Sequence, residues 1–299
     1  MKKLLFLFVL ILGIQNSVLA DGLSSKFVSS SWLDGWVNDK SINSHLIIID
    51  SRSEKKYKAG HIPGAINLPV SKTFEKNARK NFIAPVSELR EMFSAAGLDL
   101  KKDVLVYDDG ELIDAARMIW ILETFGHSNV SILNGGYKNW INLGYAHSDK
   151  PVLPQPSLFI PSITPERLAN RLNTRMAIDN EKVTIVDARS NKEYMGLESK
   201  AARKGHIPTA VNIPWDDHYT KLEDGRILMK SRDELEVLYQ NVDKKSKVIA
   251  YCNKGKQSAL SHLVMRELGF DVAAYDGSWF EWGNDYSLPI ELDPTIKSP

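Results

Sequence analysis

Short apolar runs, most of them ending on a polar residue, recur along the chain: Ile47–Asp50, Val104–Tyr107, Val130–Leu133, Val183–Asp187, Lys247–Tyr251 and Val272–Tyr275. Their β-branched and aliphatic residues occupy both alternating faces, which suits strands buried in a parallel sheet. Between these runs, apolar residues return at helical spacing. Ala115, Met118, Ile119 and Leu122 mark a helix over Asp114–Phe125, and Ala259, Leu263, Val264 and Leu268 mark another over Ser258–Leu268. Strand–helix alternation of this kind predicts an α/β fold, with doubly wound, mainly parallel sheets carrying helices on both faces.

The same plan is written twice. Leu46–Arg52, with Asp50 and Arg52, returns as Val183–Arg189, with Asp187 and Arg189. Gly60-His-Ile-Pro-Gly-Ala-Ile-Asn-Leu-Pro69 returns as Gly205-His-Ile-Pro-Thr-Ala-Val-Asn-Ile-Pro214, after an insertion within Gly196–Lys204. Asp103–Asp108 matches Lys247–Cys252, and Asn134-Gly135 with Trp140 matches Asp276-Gly277 with Trp282. Four blocks in one order at nearly constant spacing predict two homologous domains, over residues 31–148 and 164–292. The stretch between them, 149–163, holds Pro151, Pro154, Pro156 and Pro161 and reads as an extended, stiff linker.

Composition narrows the partners. The 299 residues suit two domains, and 38 Lys+Arg against 37 Asp+Glu leave a net charge of +1, with no dense basic tract for nucleic acid. The clusters at Lys76–Lys80 and Lys200–Lys204 read as solvated faces. A single cysteine excludes an internal disulfide framework and any multi-cysteine metal site, and no metal or cofactor is expected. Lys2 and Lys3, the apolar run Leu4–Ile14 and small residues up to Ala20 read as a secretory signal over residues 1–20. The run is short for a membrane span, and no cysteine follows Ala20 to carry a lipoprotein anchor. The expected mature chain is periplasmic or secreted and has no stable membrane anchor. A lone cysteine there has no internal partner in an oxidising compartment.

That cysteine stands at a strand end. In open α/β sheets ligands bind beyond the carboxyl ends of the strands, which places Asp50, Asp108, Asp187 and Cys252 towards a ligand. Tyr251-Cys252-Asn253-Lys254-Gly255-Lys256-Gln257-Ser258 runs from a strand into a helix. A helix amino end offers unpaired N–H groups and partial positive charge, Lys254 and Lys256 add cations, and Gly255 lets the loop curl around an anion. The pattern points to an activated thiolate beside an anion cradle. A cysteine-dependent phosphatase would carry an arginine six positions on for bidentate phosphate contacts, where this chain has Ser258. A cysteine–histidine hydrolase would need a base. His61 and His206 recur in both copies, one of which lacks the cysteine, and so read as structural. The repeated Asp50–Arg52 and Asp187–Arg189 likewise read as ion pairs that organise strand ends, and Trp140 and Trp282 as core residues.

The paired Asp-x-Arg and Gly-His-Ile-Pro-x-Ala-x-Asn blocks, the Cys-x-Lys-Gly loop and the terminal Asp-Gly…Trp block resemble the rhodanese family of sulfurtransferases. The similarity is to tandem-domain thiosulfate or 3-mercaptopyruvate sulfurtransferases, and it covers residues 31–145 and 164–288. It implies two tandem rhodanese-like domains, the first inactive with Asp108 in the cysteine position, the second catalytic. The implied chemistry is ping-pong. The Cys252 thiolate takes the outer sulfur of a donor as a persulfide, which a thiophilic acceptor such as cyanide removes.

By the same resemblance Lys254 pairs with the donor, within a binding set of Lys254, Gly255, Lys256 and Arg203. The lysine at this position favours thiosulfate over 3-mercaptopyruvate. The chain departs from the animal-type pattern at Glu193, where a donor-contacting arginine is expected, and Arg203 or Lys200 is the replacement the sequence offers. Asn253 and Lys256-Gln257 also differ from the family loop. Two other readings stay open: a persulfide carrier serving a periplasmic protein partner, and a pseudoenzyme with an unreactive thiol.

Overall fold

The computed structural model describes residues 25–39, 45–76 and 82–292; the expected signal segment lies outside them. The first sheet holds β1 (Phe27–Val28), β2 (Leu46–Asp50), β3 (Ile66–Asn67), β4 (Asp103–Tyr107) and β5 (Val130–Leu133) in the order β1-β5-β4-β2-β3. The second holds β6 (Leu168–Ala169), β7 (Val183–Asp187), β8 (Val211–Asn212), β11 (Lys247–Tyr251) and β12 (Asp271–Tyr275) in the order β6-β12-β11-β7-β8. Every pairing in both sheets is parallel. Strand for strand the two orders are the same, so the sequence repeat is a repeat of topology.

The strands form where the sequence is apolar on both faces because both faces are covered. Val104, Leu105, Val106 and Tyr107 are all fully buried. Register then aligns the chemistry at the strand ends: Asp50 pairs with Tyr107 across β2 and β4, and Asp187 with Tyr251 across β7 and β11. In each domain the aspartate accepts from that tyrosine and from the neighbouring arginine. Tyr107 Oη reaches Asp50 Oδ2 at 2.7 Å and Tyr251 Oη reaches Asp187 Oδ2 at 2.5 Å. Arg52 Nη2 and Arg189 Nη2 each lie 2.6 Å from their carboxylate and also donate to Gly60 O and Gly205 O. Burial opposes the Arg189 charge, but Asp187 and Tyr251 outweigh it and raise the guanidinium pKa.

His61 and His206 are buried ring-on-ring against Tyr57 and Tyr194, at 3.8 and 3.9 Å between centroids, and hydrogen-bond the carbonyls of the same tyrosines. Trp140 and Trp282 are fully buried and donate to Ala146 O and Pro289 O. These repeated residues hold the domains together.

The domains meet helix to helix. Ala115, Met118, Ile119 and Leu122 of the helix Ile113–Thr124 share one core with Ala259, Leu260 and Leu263 of the helix Gln257–Glu267. The first helix is therefore buried on all sides from Ala115 to Thr124, including its polar residues. Its polar face finds partners instead of water: Glu123 lies 3.1 Å from His262 and 2.9 Å from Lys26.

Three details go beyond the sequence reading. β1 starts at Phe27, ahead of residue 31, and pairs with β5. The proline-rich connection is not a free spacer: Phe159 is fully buried in the first domain's core, while Ser157 N–H and Phe159 N–H donate to Ser94. The second domain also carries an antiparallel hairpin, β9 (Tyr219–Lys221) with β10 (Ile227–Met229), that the apolar pattern does not signal.

Candidate active site

β11 ends at Tyr251 and the chain turns at once into the loop 252–256 before the helix Gln257–Glu267. Cys252 is fully buried. Its N–H donates to Ser278 Oγ at 3.2 Å, and its Sγ lies 3.9 Å from the same oxygen. The Ser278 hydroxyl donates to Tyr275 O at 2.7 Å, so its proton is committed and its lone pairs face the cysteine.

Ser278 adopts φ +49°, an uncommon backbone state for a residue with a side chain. Two further bonds stitch the loop to this turn: Trp279 N–H donates to Cys252 O and Phe280 N–H to Asn253 O, both at 2.9 Å. Gly255 has φ +70°, and a Cβ there would stand 2.9 Å from Asp276 O. Only glycine fits that position without displacing backbone.

The predicted binding residues separate in space. Lys254 is exposed, with Nζ 5.2 Å from the Phe280 ring centre. Lys256 pairs with Asp114 of the first domain at 2.5 Å. Arg203 is committed elsewhere: its guanidinium donates to the carbonyls of Trp282, Gly283, Asp285 and Leu288, clamping the 282–288 turn. Lys200 is exposed. Glu193, at the position that departs from the family pattern, is buried and reaches the loop directly. Its Oε1 accepts from Asn253 Nδ2 at 2.9 Å, and its Oε2 accepts from the Ser190 N–H and hydroxyl in a capping box.

Two site residues escaped the sequence reading. Ser278 follows the Asp276-Gly277 block and carried no signal beyond that position. Arg117 drew no reading from the sequence, yet it donates from Nη1 to Gly255 O at 2.9 Å across the domain boundary.

The counterpart loop of the first domain holds a carboxylate. Asp108 takes the place of Cys252, and its carboxylate accepts N–H groups from Gly110, Leu112, Asp114 and Ala115 at 2.8 to 3.3 Å. Burial nevertheless raises this carboxyl to about 6, with the N–H bonds working against the rise. Both loops have the same length between strand and helix, and the counterpart positions in the second are Lys254, Lys256, Ser258 and Ala259.

A duplicated α/β sheet with a strand-to-helix loop around one buried thiol defines a rhodanese-type architecture. The family model described as rhodanese-like domain matches residues 29–143 and 165–285. The chain belongs to the rhodanese family. It is 30% identical to the thiosulfate sulfurtransferase of Corynebacterium glutamicum, over 91% of this chain and 92% of that protein. It is 33% identical to a thiosulfate sulfurtransferase of Pseudomonas aeruginosa, over 83% and 91%, and 29% identical to that of Bos taurus, over 85% and 91%. Among solved structures, an anaerobic ergothioneine biosynthesis enzyme from Chlorobium limicola superposes with a TM-score of 0.78 at 23% identity. That match covers 89% of this chain and 70% of the other, a likeness of fold.

Proposed function

We propose that this chain is an exported sulfurtransferase that moves the outer sulfur of thiosulfate to a thiophilic acceptor through a persulfide on Cys252. One observation carries the reading. The loop that surrounds Cys252 is the counterpart of the one that, in the first domain, wraps four N–H groups around the carboxylate of Asp108. A loop of the same length at a helix amino end, with Gly255 at its turn, offers N–H groups to negative charge at the position of Sγ and of a sulfur bonded to it. The names of the relatives in Corynebacterium glutamicum and Pseudomonas aeruginosa support thiosulfate as the donor. The signal-like residues 1–20 support export.

The steps balance without a redox partner. The Cys252 thiolate attacks the outer sulfur of thiosulfate, the S–S bond breaks, and its electron pair leaves on sulfite. The outer sulfur remains on Cys252 as a persulfide anion. A cyanide carbon, or another thiophile, then attacks that sulfur, and the Cys252–sulfur bond breaks to return the thiolate and release thiocyanate. The protein's share is to hold negative charge on sulfur in a dry site, where the helix amino end acts with little screening.

Glu193 favours a second reading of the donor. A buried carboxylate bonded to the residue next to the thiol opposes a dianion, and a singly charged donor such as 3-mercaptopyruvate meets less repulsion there. Thiocyanate formation from cyanide, with thiosulfate and 3-mercaptopyruvate in parallel and Cys252→Ser as control, tests both. Turnover with thiosulfate that vanishes in the variant supports the first reading, turnover with 3-mercaptopyruvate alone supports the second, and cysteine-independent turnover contradicts both.

A further inference from the structure

The cations around the Cys252 loop differ in how much of their charge reaches it. Lys254 is exposed, where water and salt screen it. Lys256 is half-exposed and neutralised by Asp114. Arg189 is buried, but its charge is matched by Asp187 through three side-chain contacts. Arg117 is different. Its side chain is fully buried, its guanidinium lies 3.9 Å over the ring of Phe74, and Nη1 donates to Gly255 O at 2.9 Å. The Asp276 carboxylate stands at 3.6 Å, but its Oδ2 also accepts the N–H of Ile83 at 2.7 Å. Among the described residues, Arg117 Nε and Nη2 are buried with no hydrogen-bond partner.

A buried, incompletely satisfied guanidinium is costly, and an apolar side chain in its place would pack against Phe74 and Trp120 more cheaply. Its retention calls for something that a hydrophobe cannot do. Gly255 is the loop's positive-φ turn, so holding its carbonyl fixes the direction in which the loop's N–H groups point. We infer that Arg117, a residue of the first domain, is a positioning residue for the second domain's site: it anchors the Cys252 loop through Gly255 and supplies the buried positive charge that favours the thiolate and persulfide forms. This rests on the reading of Cys252 as the nucleophile. The ionisable groups that act on Arg117 are Asp276, Cys252 and Asp114. Burial lowers the guanidinium pKa, and the negative charges of Asp276 and Cys252 oppose that fall. The first domain has lost the cysteine but still furnishes part of the catalytic environment.

The test is a pH titration of the ultraviolet thiolate band of the full chain, corrected with Cys252→Ser, which isolates the one thiol the protein contains. Alkylation by iodoacetamide across the same pH range gives a second profile. Arg117→Lys keeps the charge and Arg117→Gln removes it. In Arg117→Gln both profiles move to higher pH, and alkylation at neutral pH slows about three- to tenfold. In Arg117→Lys the profiles stay near wild type. Equal shifts in the two variants, or none in either, overturn the inference and leave Arg117 a structural tie.

Should Arg117→Gln not fold, the wild-type protein decides. Activation by a buried charge leaves its profile in place between low and high salt, whereas a clear salt-dependent shift assigns activation to the exposed lysines and overturns the inference. A wild-type thiol with no thiolate band and no alkylation around neutral pH contradicts the nucleophile reading itself, a result distinct from either failure above.

Discussion

Ser278 Oγ sits between the two strand ends of the site, accepting the Cys252 N–H at 3.2 Å while donating to Tyr275 O at 2.7 Å. One hydroxyl thereby links the end of β11 to the end of β12 and stands 3.9 Å from the thiol sulfur. Ser278→Ala leaves a buried N–H and a buried carbonyl without this partner, at a cost of about 1–3 kcal/mol in stability. Turnover in the cyanide assay falls about tenfold, because the loop that positions Cys252 loses its anchor. Urea denaturation and steady-state kinetics check the two effects, and unchanged kinetics would show that Ser278 only braces the fold.

The Asp108 carboxyl predicts a pH signature of the first domain. Burial holds it at about 6 in the folded chain, above its ordinary value of 3.8. The folded state therefore binds this proton more tightly than the unfolded state. Its contribution to stability is fully present below about pH 4 and is lost as pH rises through about 6, a change of roughly 2–3 kcal/mol. In Asp108→Asn the linkage disappears, so wild-type stability minus variant stability declines across that window. A difference that stays flat with pH contradicts the buried, proton-binding carboxyl.

Glu193 makes a prediction about donor choice. Glu193→Gln keeps one acceptor and the side-chain length but removes the negative charge beside Asn253. The kcat/KM for thiosulfate rises about three- to tenfold, and the gain for 3-mercaptopyruvate is smaller because that donor carries less charge. Parallel kinetics with the two donors measure it. An equal change for both donors would mean that Glu193 acts only as the cap of the helix Asn191–Met195.

The connection between the domains is structural as well as connective. Phe159 is fully buried against Phe93, with ring centres 5.1 Å apart. Phe159→Ala should lower stability by about 3–5 kcal/mol, the usual cost of emptying an aromatic site in a core. Thermal melting checks this. A loss under about 1 kcal/mol, as expected for an exposed linker residue, would contradict the packing.

The parts of this molecule that were legible in its sequence are those whose causes are local. The runs ending at Asp50, Tyr107, Asp187 and Tyr251 reveal strands because apolar residues on both faces can be buried in few other ways. Cys252 stands out because strand, glycine and helix follow one another in eleven or so residues of chain, about two secondary-structure transitions.

What was not legible depends on neighbours from afar. Arg117 has no role to read until the second domain covers it. Ser278 gains its role only when β12 lies beside β11. Arg203 sits in an insertion near the site, but four backbone carbonyls of the 282–288 turn claim its guanidinium first. The polar group was visible in each case, and its partner was not.

The most direct test of the account is the intact mass of the full chain after incubation with thiosulfate and removal of the excess. The account predicts a species heavier by one sulfur atom, mapped to Cys252, lost on adding cyanide with release of thiocyanate, and never formed in Cys252→Ser. An unchanged mass in a folded protein with either thiosulfate or 3-mercaptopyruvate, or a sulfur adduct that persists in Cys252→Ser, would contradict it.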